Sequence, residues 1–140
     1  METKVVYAGG KRFEASGRGH RVVSDQPLDN GGADQGMTPP ELFLASLGTC
    51  AAYYAAEYLN ARHLAAAGLE VRVSAEKGGK PVRIASIDVS VIAPGADEDD
   101  QHREGLRRAV GHCLIHNTLV TLPQIEIRIG VEAREPAPVG

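Results

Sequence analysis

Tryptophan is absent from this chain of 140 residues, and aromatic residues make up only 4% of it. Aliphatic side chains must therefore supply the packing, and they are plentiful because 43% of the residues are hydrophobic. No internal repeat, low-complexity segment or shift in composition divides the chain. We therefore expect one ordinary domain over residues 1–140, with enough apolar surface for a real core.

No strong excess of charge is present, since the net charge is −3 and both signs are interspersed. This balance argues against a nucleic-acid-binding surface or a polybasic membrane patch. The first residues lack the charged-then-apolar layout of a signal peptide. The apolar run around Cys50 is interrupted by Glu57 and is too short to span a bilayer. We expect a cytoplasmic protein without nucleic-acid or membrane partners.

Cysteine is scarce, with only Cys50 and Cys113 present and neither in a CxxC pair. A reducing cytosol disfavours a permanent disulfide but allows a transient catalytic one. A lone cysteine in an apolar helix is usually a small core side chain, so the residues alone allow a redox couple or two core residues. His112 and His116 flank Cys113, but no compact Cys/His spacing supports a metal site, and none is expected.

The periodicity of the sequence predicts an α+β fold with mainly antiparallel sheet. A Thr-x-x-Glu capping box starts a long helix at Thr38, which Gly68 should stop near Ala66. The loop over residues 25–37 is long and rich in glycine, and such loops are often functional. A second helix should start at the acidic residues 97–100 and carry an apolar stripe through Cys113. The tail from Glu135 should fray. Strands are predicted at residues 3–7, 11–16, 20–24, 69–75, 83–91 and 124–133.

The segment from Gly31 to Cys50 contains Gly31-Gly32, then Gly36-Met37-Thr38-Pro39-Pro40-Glu41, and then the apolar run to Cys50. This segment resembles the first-cysteine helix of the OsmC/Ohr family, the osmotically induced and organic-hydroperoxide-resistance proteins. The segment from Cys113 to Asn117-Thr118-Leu119 is similar to the family's second-cysteine helix. The order of elements agrees over about residues 3–134. The resemblance implies antiparallel sheets packed on two long helices, in an intertwined homodimer with two active sites near the interface.

The same resemblance implies a stress-related peroxidase that reduces organic hydroperoxides or hydrogen peroxide without a cofactor. Cys50 would attack the peroxide, Cys113 would resolve the product, and a lipoylated protein or a small dithiol would restore both thiols. A buried thiol needs a neighbouring cation to become a thiolate. The family's arginine comes from the N-terminal hairpin, where Arg12 is the nearest match and Arg18 and Arg21 compete.

One departure separates the chain from the best-characterised members, which carry a glutamate where this chain has Pro40. Glu41 follows, but at about 100° per residue it lies roughly opposite Cys50 on an ideal helix, and its capping role accounts for it. The pattern is therefore closer to the OsmC-like branch of the family. A non-catalytic member that binds an apolar ligand or a partner is the alternative. Candidate pocket and neighbouring residues are Glu41, Phe43, Leu47, Tyr54 and Glu57.

Overall fold

The computed structural model describes residues 1–130, which form two antiparallel sheets and three α-helices. The predicted α+β class is therefore confirmed. A short 3₁₀ turn at Leu28–Asn30 lies in the long loop before the first helix. In chain order the elements are β1 (Lys4–Tyr7), β2 (Phe13–Gly17), β3 (His20–Ser24), α1 (Pro39–Ala61), β4 (Glu70–Gly78), β5 (Arg83–Ile92), α2 (Asp100–Val110) and α3 (Leu114–Val120).

Strands β1, β2 and β3 form an antiparallel meander in sequence order, as predicted. Gly9 and Gly10 make the first turn, with φ of 96° and 59°, a conformation that glycine adopts without steric cost. The meander makes no substantial contact with the helices or with the second sheet of residues 1–130. Large apolar side chains consequently stay exposed on it, among them Val5, Tyr7 and Phe13.

Helix α1 begins at the predicted capping box. The Glu41 carboxylate accepts hydrogen bonds from the Thr38 N–H at 2.7 Å and from the Thr38 hydroxyl at 2.8 Å. The predicted end near Ala66 is wrong, because His63 adopts a φ of 56° and the helix ends at Ala61. The His63 N–H bonds to the Asn60 carbonyl and the next N–H to the Leu59 carbonyl, which satisfies the last carbonyls of the helix.

The core lies where α1 packs on β4 and β5 on one side and on α2 on the other. Close approach depends on two glycines. A Cβ on Gly48 would lie 3.1 Å from Val73 of β4, and one on Gly105 would lie 2.0 Å from the Tyr58 hydroxyl. The Tyr58 hydroxyl bonds His102 Nδ1 at 3.2 Å, which ties α1 to α2. The buried cluster contains Ala55, Tyr58, Leu59, Ala93, Ala96 and Leu106.

The predicted apolar stripe through Cys113 does not form one continuous helix. Asp99 caps α2 as the acidic start predicts, accepting from two backbone N–H groups at 2.7 and 3.1 Å. The helix then ends at Val110, and Cys113 adopts a ψ of 122° outside the helical region. The Cys113 sulfur accepts the His116 N–H at 3.4 Å, so the side chain caps a new helix, α3, instead of continuing α2.

The predicted last strand is not formed in the described part of its range, residues 124–130. A strand needs a neighbour for its backbone groups, and no strand of residues 1–130 pairs with this segment. Its alternating side chains stay exposed, with Ile125 and Ile127 each at 83% and Ile129 at 91%. Residues 131–133 and the tail from Glu135 lie outside the described residues.

Candidate active site

Cys50 and Cys113 meet at the first turn of α3. Cys50 lies on α1 and is half-buried, whereas Cys113, the N-cap of α3, is fully buried. The two thiols are within hydrogen-bonding reach, and both are free cysteines. Helix α1 aims Cys50 at α3 because its neighbours Leu47 and Ala51 face the core. The break between α2 and α3 brings in Cys113, so the structure unites two thiols that are far apart in sequence.

The first backbone N–H groups of α3 lie against the two sulfurs. Such groups have no acceptor within their own helix. The His116 N–H donates to Cys113 at 3.4 Å. The N–H groups of Ile115 and Leu114 favour the charged form of Cys50, and that of Ile115 also favours the charged form of Cys113. Both sulfurs therefore lie where the N-terminal end of a helix favours negative charge.

The two thiols differ in acidity. Burial raises the pKa of Cys50, but the hydrogen bond from Cys113 and those from the Ile115 and Leu114 N–H groups outweigh it and hold the pKa below its ordinary value. Burial first, and then the hydrogen bond to Cys50, raises the pKa of Cys113. Cys50 therefore ionises first, while Cys113 keeps its proton and donates it. A thiolate is the form of cysteine that attacks an oxidant, and a neighbouring thiol can then condense with the oxidised sulfur to form a disulfide.

A cavity of about 580 Å³ lies beside Cys113, between α1, β5 and α2. Its size is that of a pocket for a small organic molecule. Most of its wall is aliphatic, including the predicted residue Leu47. Polar groups come from Asp97, Arg103, Arg107 and His116. The aliphatic wall is completed by Ile87, Val89, Val91, Leu106 and Val110.

Arg12, the predicted cation, contacts neither sulfur within this chain. Its Nη1 donates to Gln35 Oε1, its Nη2 donates to the Ala8 carbonyl at 3.1 Å, and its charge acts on the buried carboxylate of Asp25. No charged side chain of residues 1–130 is among the groups that shift the pKa of Cys50. Within one subunit, backbone N–H groups and a thiol lower that pKa in place of a cation.

The competing arginines of the hairpin also have no influence on the thiols in this chain. Arg21 pairs with Glu14 across β2 and β3 at 3.5 Å. Arg18 lies in the turn between those strands with a φ of 51°.

Glu41 lies at a different cavity from the thiols. That cavity, of about 420 Å³, lies between α1 and β4. The carboxylate is engaged by Thr38, and this bonding lowers the pKa of Glu41. Glu41 also precedes Cys50 by nine residues, which corresponds to about 13 Å along a helix axis. It therefore cannot touch Cys50 of its own chain.

The other pocket candidates spread around α1. Phe43 and Tyr54 are half-buried, and Tyr54 packs edge-to-face on Tyr53 with ring centroids 5.2 Å apart. Glu57 is exposed. Unlike Leu47, none of these side chains lines the cavity beside Cys113.

Sequence comparison shows which protein family shares the segment that carries these thiols. The sequence model of OsmC-like proteins matches residues 31–128, a span that includes both cysteines. The chain belongs to the OsmC-like protein family. The matched span begins in the loop before α1 and ends in the segment after α3. No curated protein sequence matches the chain.

Solved structures with this fold support the assignment. A candidate osmotic-stress-induced and detoxification-response protein from Psychrobacter arcticus 273-4 aligns with a TM-score of 0.73 at 20% identity, covering 83% of this chain and 85% of that one. An OsmC-like protein from Mycoplasma pneumoniae aligns at 0.71 and 17% identity, covering 86% and 87%. The OsmC organic hydroperoxide resistance protein from Legionella pneumophila aligns at 0.56 and 15% identity, covering 86% and 88%. At these identities the likeness establishes the shared fold.

Three features of the structure could not be predicted from the motif around the cysteines. The N–H groups of α3 are backbone atoms, so only the position of a helix start could reveal them. The cavity wall on β5 follows the alternation of Ile87, Val89 and Val91, which marks the inner face of that strand. The contact between Arg12 and Gln35 joins the hairpin to the long loop.

Within residues 1–130, no group of three or more His, Cys, Asp or Glu side chains is arranged to hold a metal ion. No helix in this range has the length and hydropathy needed to cross a bilayer.

Proposed function

We propose that this OsmC-like protein is a cytoplasmic thiol-dependent peroxidase that reduces organic hydroperoxides or hydrogen peroxide. The observation that carries the proposal is the contact of the two thiols at the start of α3, with the pKa of Cys50 lowered and that of Cys113 raised. Peroxide reduction needs a thiolate for the attack and a nearby thiol for the next step. The Legionella relative is named as an organic hydroperoxide resistance protein, which supports this reading.

The proposed cycle has three balanced steps. The Cys50 thiolate attacks one peroxide oxygen, the O–O bond breaks, and a proton from solvent completes the alcohol, leaving Cys50 as a sulfenic acid. The Cys113 thiol then displaces hydroxide from that sulfur, which gives a Cys50–Cys113 disulfide and one water. A dithiol, either small or the lipoyl group of a protein, takes the disulfide in exchange. It becomes oxidised itself and returns both cysteines to thiols.

The cavity beside Cys113 supports a proposed preference among peroxides. An aliphatic wall stabilises the alkyl part of an organic hydroperoxide by burying it, at about 25 cal/mol per Å². Hydrogen peroxide has no such part, so it gains nothing from Leu47 or from the β5 side chains. We therefore expect organic hydroperoxides with a compact apolar group to be the better substrates.

The proposed working unit is an intertwined homodimer. The meander exposes Val5, Tyr7 and Phe13, and the unpaired segment 124–130 exposes its isoleucines. Two such surfaces on one chain are suited to cover each other between two copies. Since Arg12 does not reach Cys50 in its own chain, we propose that Arg12 of the partner subunit completes the site.

An alternative function has two observations in its favour. Within residues 1–130 no cation acts on Cys50, and a largely apolar cavity lies beside the buried Cys113. An OsmC-like protein that binds an apolar ligand without chemistry would show both features. The thiols would then be core residues, and peroxide would leave them intact.

Peroxide consumption by cysteine variants tests the proposal. With cumene hydroperoxide and dihydrolipoamide, wild type should turn over repeatedly and Cys50→Ser should not, since a serine hydroxyl is not a useful nucleophile here. Cys113→Ser should consume about one equivalent and stop with Cys50 as a sulfenic or sulfinic acid. Thr49→Ser, an exposed neighbour on α1, is the control and should match wild type.

Turnover by Cys50→Ser at the wild-type rate would contradict the proposal. An inert wild type that binds the apolar group would favour the alternative.

A further inference from the structure

The loop between β3 and α1 is folded around a buried carboxylate. Asp25 is 1% exposed, and its oxygens accept the N–H groups of Gln26 at 2.8 Å and of Ala33 and Gln35 at 3.2 Å. Burial raises the pKa of Asp25, but these hydrogen bonds and the charge of Arg12 hold it below its ordinary value. A permanent negative charge therefore organises the loop from within.

The backbone of this loop is packed closely against the chain that precedes it. A Cβ on Gly32 would lie 1.8 Å from the carbonyl oxygen of Gln26, and one on Gly36 would lie 2.2 Å from that of Val23. Only glycine permits these approaches. The path of the loop is thus fixed by close backbone contacts as well as by the carboxylate.

This path presents one side chain to the hairpin. Gln35 Oε1 accepts from Arg12 Nη1, and the Ala8 carbonyl accepts from Nη2 at 3.1 Å. Arg12 forms no ion pair within 4.0 Å in residues 1–130, so Asp25 acts on it from a longer distance. A guanidinium has five N–H donors, and these two contacts leave others for a further group. A cavity of about 390 Å³ beside Arg12 and Asp25 provides space for it.

We propose that Gln35 and Asp25 are positioning residues for Arg12. Gln35 holds the guanidinium through a neutral amide, and Asp25 fixes the loop that presents Gln35. A neutral acceptor orients Arg12 without cancelling its charge, as a directly bound carboxylate would, so the arginine can still act on an anion. The consequence for catalysis rests on the proposed function, in which that anion is the Cys50 thiolate.

The first test measures the position of Arg12 without using peroxide. When rotation of the guanidinium is slow, NMR resolves separate ¹⁵N resonances for Nη1 and Nη2. We expect separate resonances in wild type and in Gln35→Glu, which keeps an acceptor oxygen at the same length, and one merged resonance in Gln35→Ala. Asn30→Ala is the matched control, because that loop side chain bonds Gln26 at 2.7 Å instead of Arg12. Merged resonances in wild type, or separate ones in Gln35→Ala, would overturn the proposal.

The role of Asp25 is tested through the loop. Asp25→Asn replaces one acceptor oxygen by an N–H₂ group, which cannot accept a hydrogen bond. Amide hydrogen exchange at Ala33 and Gln35 should become at least tenfold faster, and the Arg12 resonances should merge. Unchanged exchange at both amides, with separate Arg12 resonances, would remove Asp25 from the proposal.

The second test follows the effect to the thiol, in a Cys113→Ser background where Cys50 is the only cysteine. Gln35→Ala should move the pH profile of Cys50 alkylation towards that of Arg12→Ala. When the two substitutions are combined, the profile should match that of Arg12→Ala alone. An equal shift with and without Arg12 would show that Gln35 does not act through the arginine. If Arg12→Ala leaves the profile unchanged while the NMR result holds, the role of Arg12 at the thiol fails and its positioning stands.

Discussion

The hydrogen bond from Cys113 to Cys50 gives a prediction that contrasts two small substitutions. Cys113→Ser keeps a hydrogen-bond donor at the start of α3, whereas Cys113→Ala removes it. Because that bond favours the thiolate of Cys50, the alanine variant should have the higher Cys50 pKa. The N–H groups of Leu114 and Ile115 stay in place in both variants, so the comparison isolates the side-chain donor.

The size of the effect follows from the strength of the bond. A hydrogen bond to a charged group contributes about 1.5–3 kcal/mol. Cys50 is only half-buried, so we take the low end of that range for the serine hydroxyl, about 1.5 kcal/mol or roughly one pKa unit. At any pH below the Cys50 pKa of both variants, the thiolate fraction should then be about tenfold lower in Cys113→Ala than in Cys113→Ser. The alkylation rate at that pH should be lower by the same factor.

The assay is the rate of iodoacetamide alkylation from pH 5 to 10, read from the mass of the intact protein. Each variant has a single thiol, so every added group reports Cys50. Circular dichroism of both variants controls for loss of fold. Superimposable pH profiles would contradict this prediction, because they would show that a hydrogen-bond donor at position 113 does not stabilise the Cys50 thiolate.

Three further predictions concern the arginine, the packing and the assembly. Arg12→Ala in the Cys113→Ser background should raise the Cys50 pKa by about one unit; Arg18→Ala and Arg21→Ala are the controls, and a larger shift from either would reassign the cation. Gly105→Ala would place a methyl group on the Tyr58 hydroxyl and should lower the free energy of unfolding in urea by about 1–3 kcal/mol; Gly111→Ala, where the nearest atom would be 3.2 Å away, should cost less. Ile127→Asp should lower the dimer fraction in sedimentation at micromolar concentration. Gln101→Asp, at an exposed position of α2, is the control and should leave the fraction unchanged. A wild-type protein that sediments as a monomer would contradict the proposed dimer.

Elements that are specified by nearby residues could be predicted from the sequence. The start of α1 depends on Thr38 and Glu41, which are three positions apart, and the meander follows short alternating runs between glycine turns. The end of α1 was missed because His63 takes the left-handed conformation before Gly68 can act. The break before α3 was missed because the apolar spacing that includes Leu106 and Cys113 continues across it as if the helix did.

Elements that depend on distant neighbours could not be predicted in the same way. The segment 124–130 alternates as a strand should, but pairing requires a strand edge, and within residues 1–130 this segment pairs with none. The two cysteines were identified by their motif, since apolar surroundings alone are more typical of core residues. The partners of Arg12 depend on the path of a loop built around Asp25, which no local pattern records.

The central claim is that Cys50 and Cys113 form a redox pair, and the disulfide itself tests it most directly. The reduced protein is treated with one equivalent of cumene hydroperoxide, blocked with iodoacetamide and digested with trypsin without reductant. Cleavage after arginine places Cys50 in the peptide of residues 22–62 and Cys113 in that of residues 109–128. We expect these two peptides to appear joined, two hydrogens lighter than their sum, with loss of both free thiols. Two separately alkylated peptides, or a Cys50 peptide that carries only added oxygen, would contradict it.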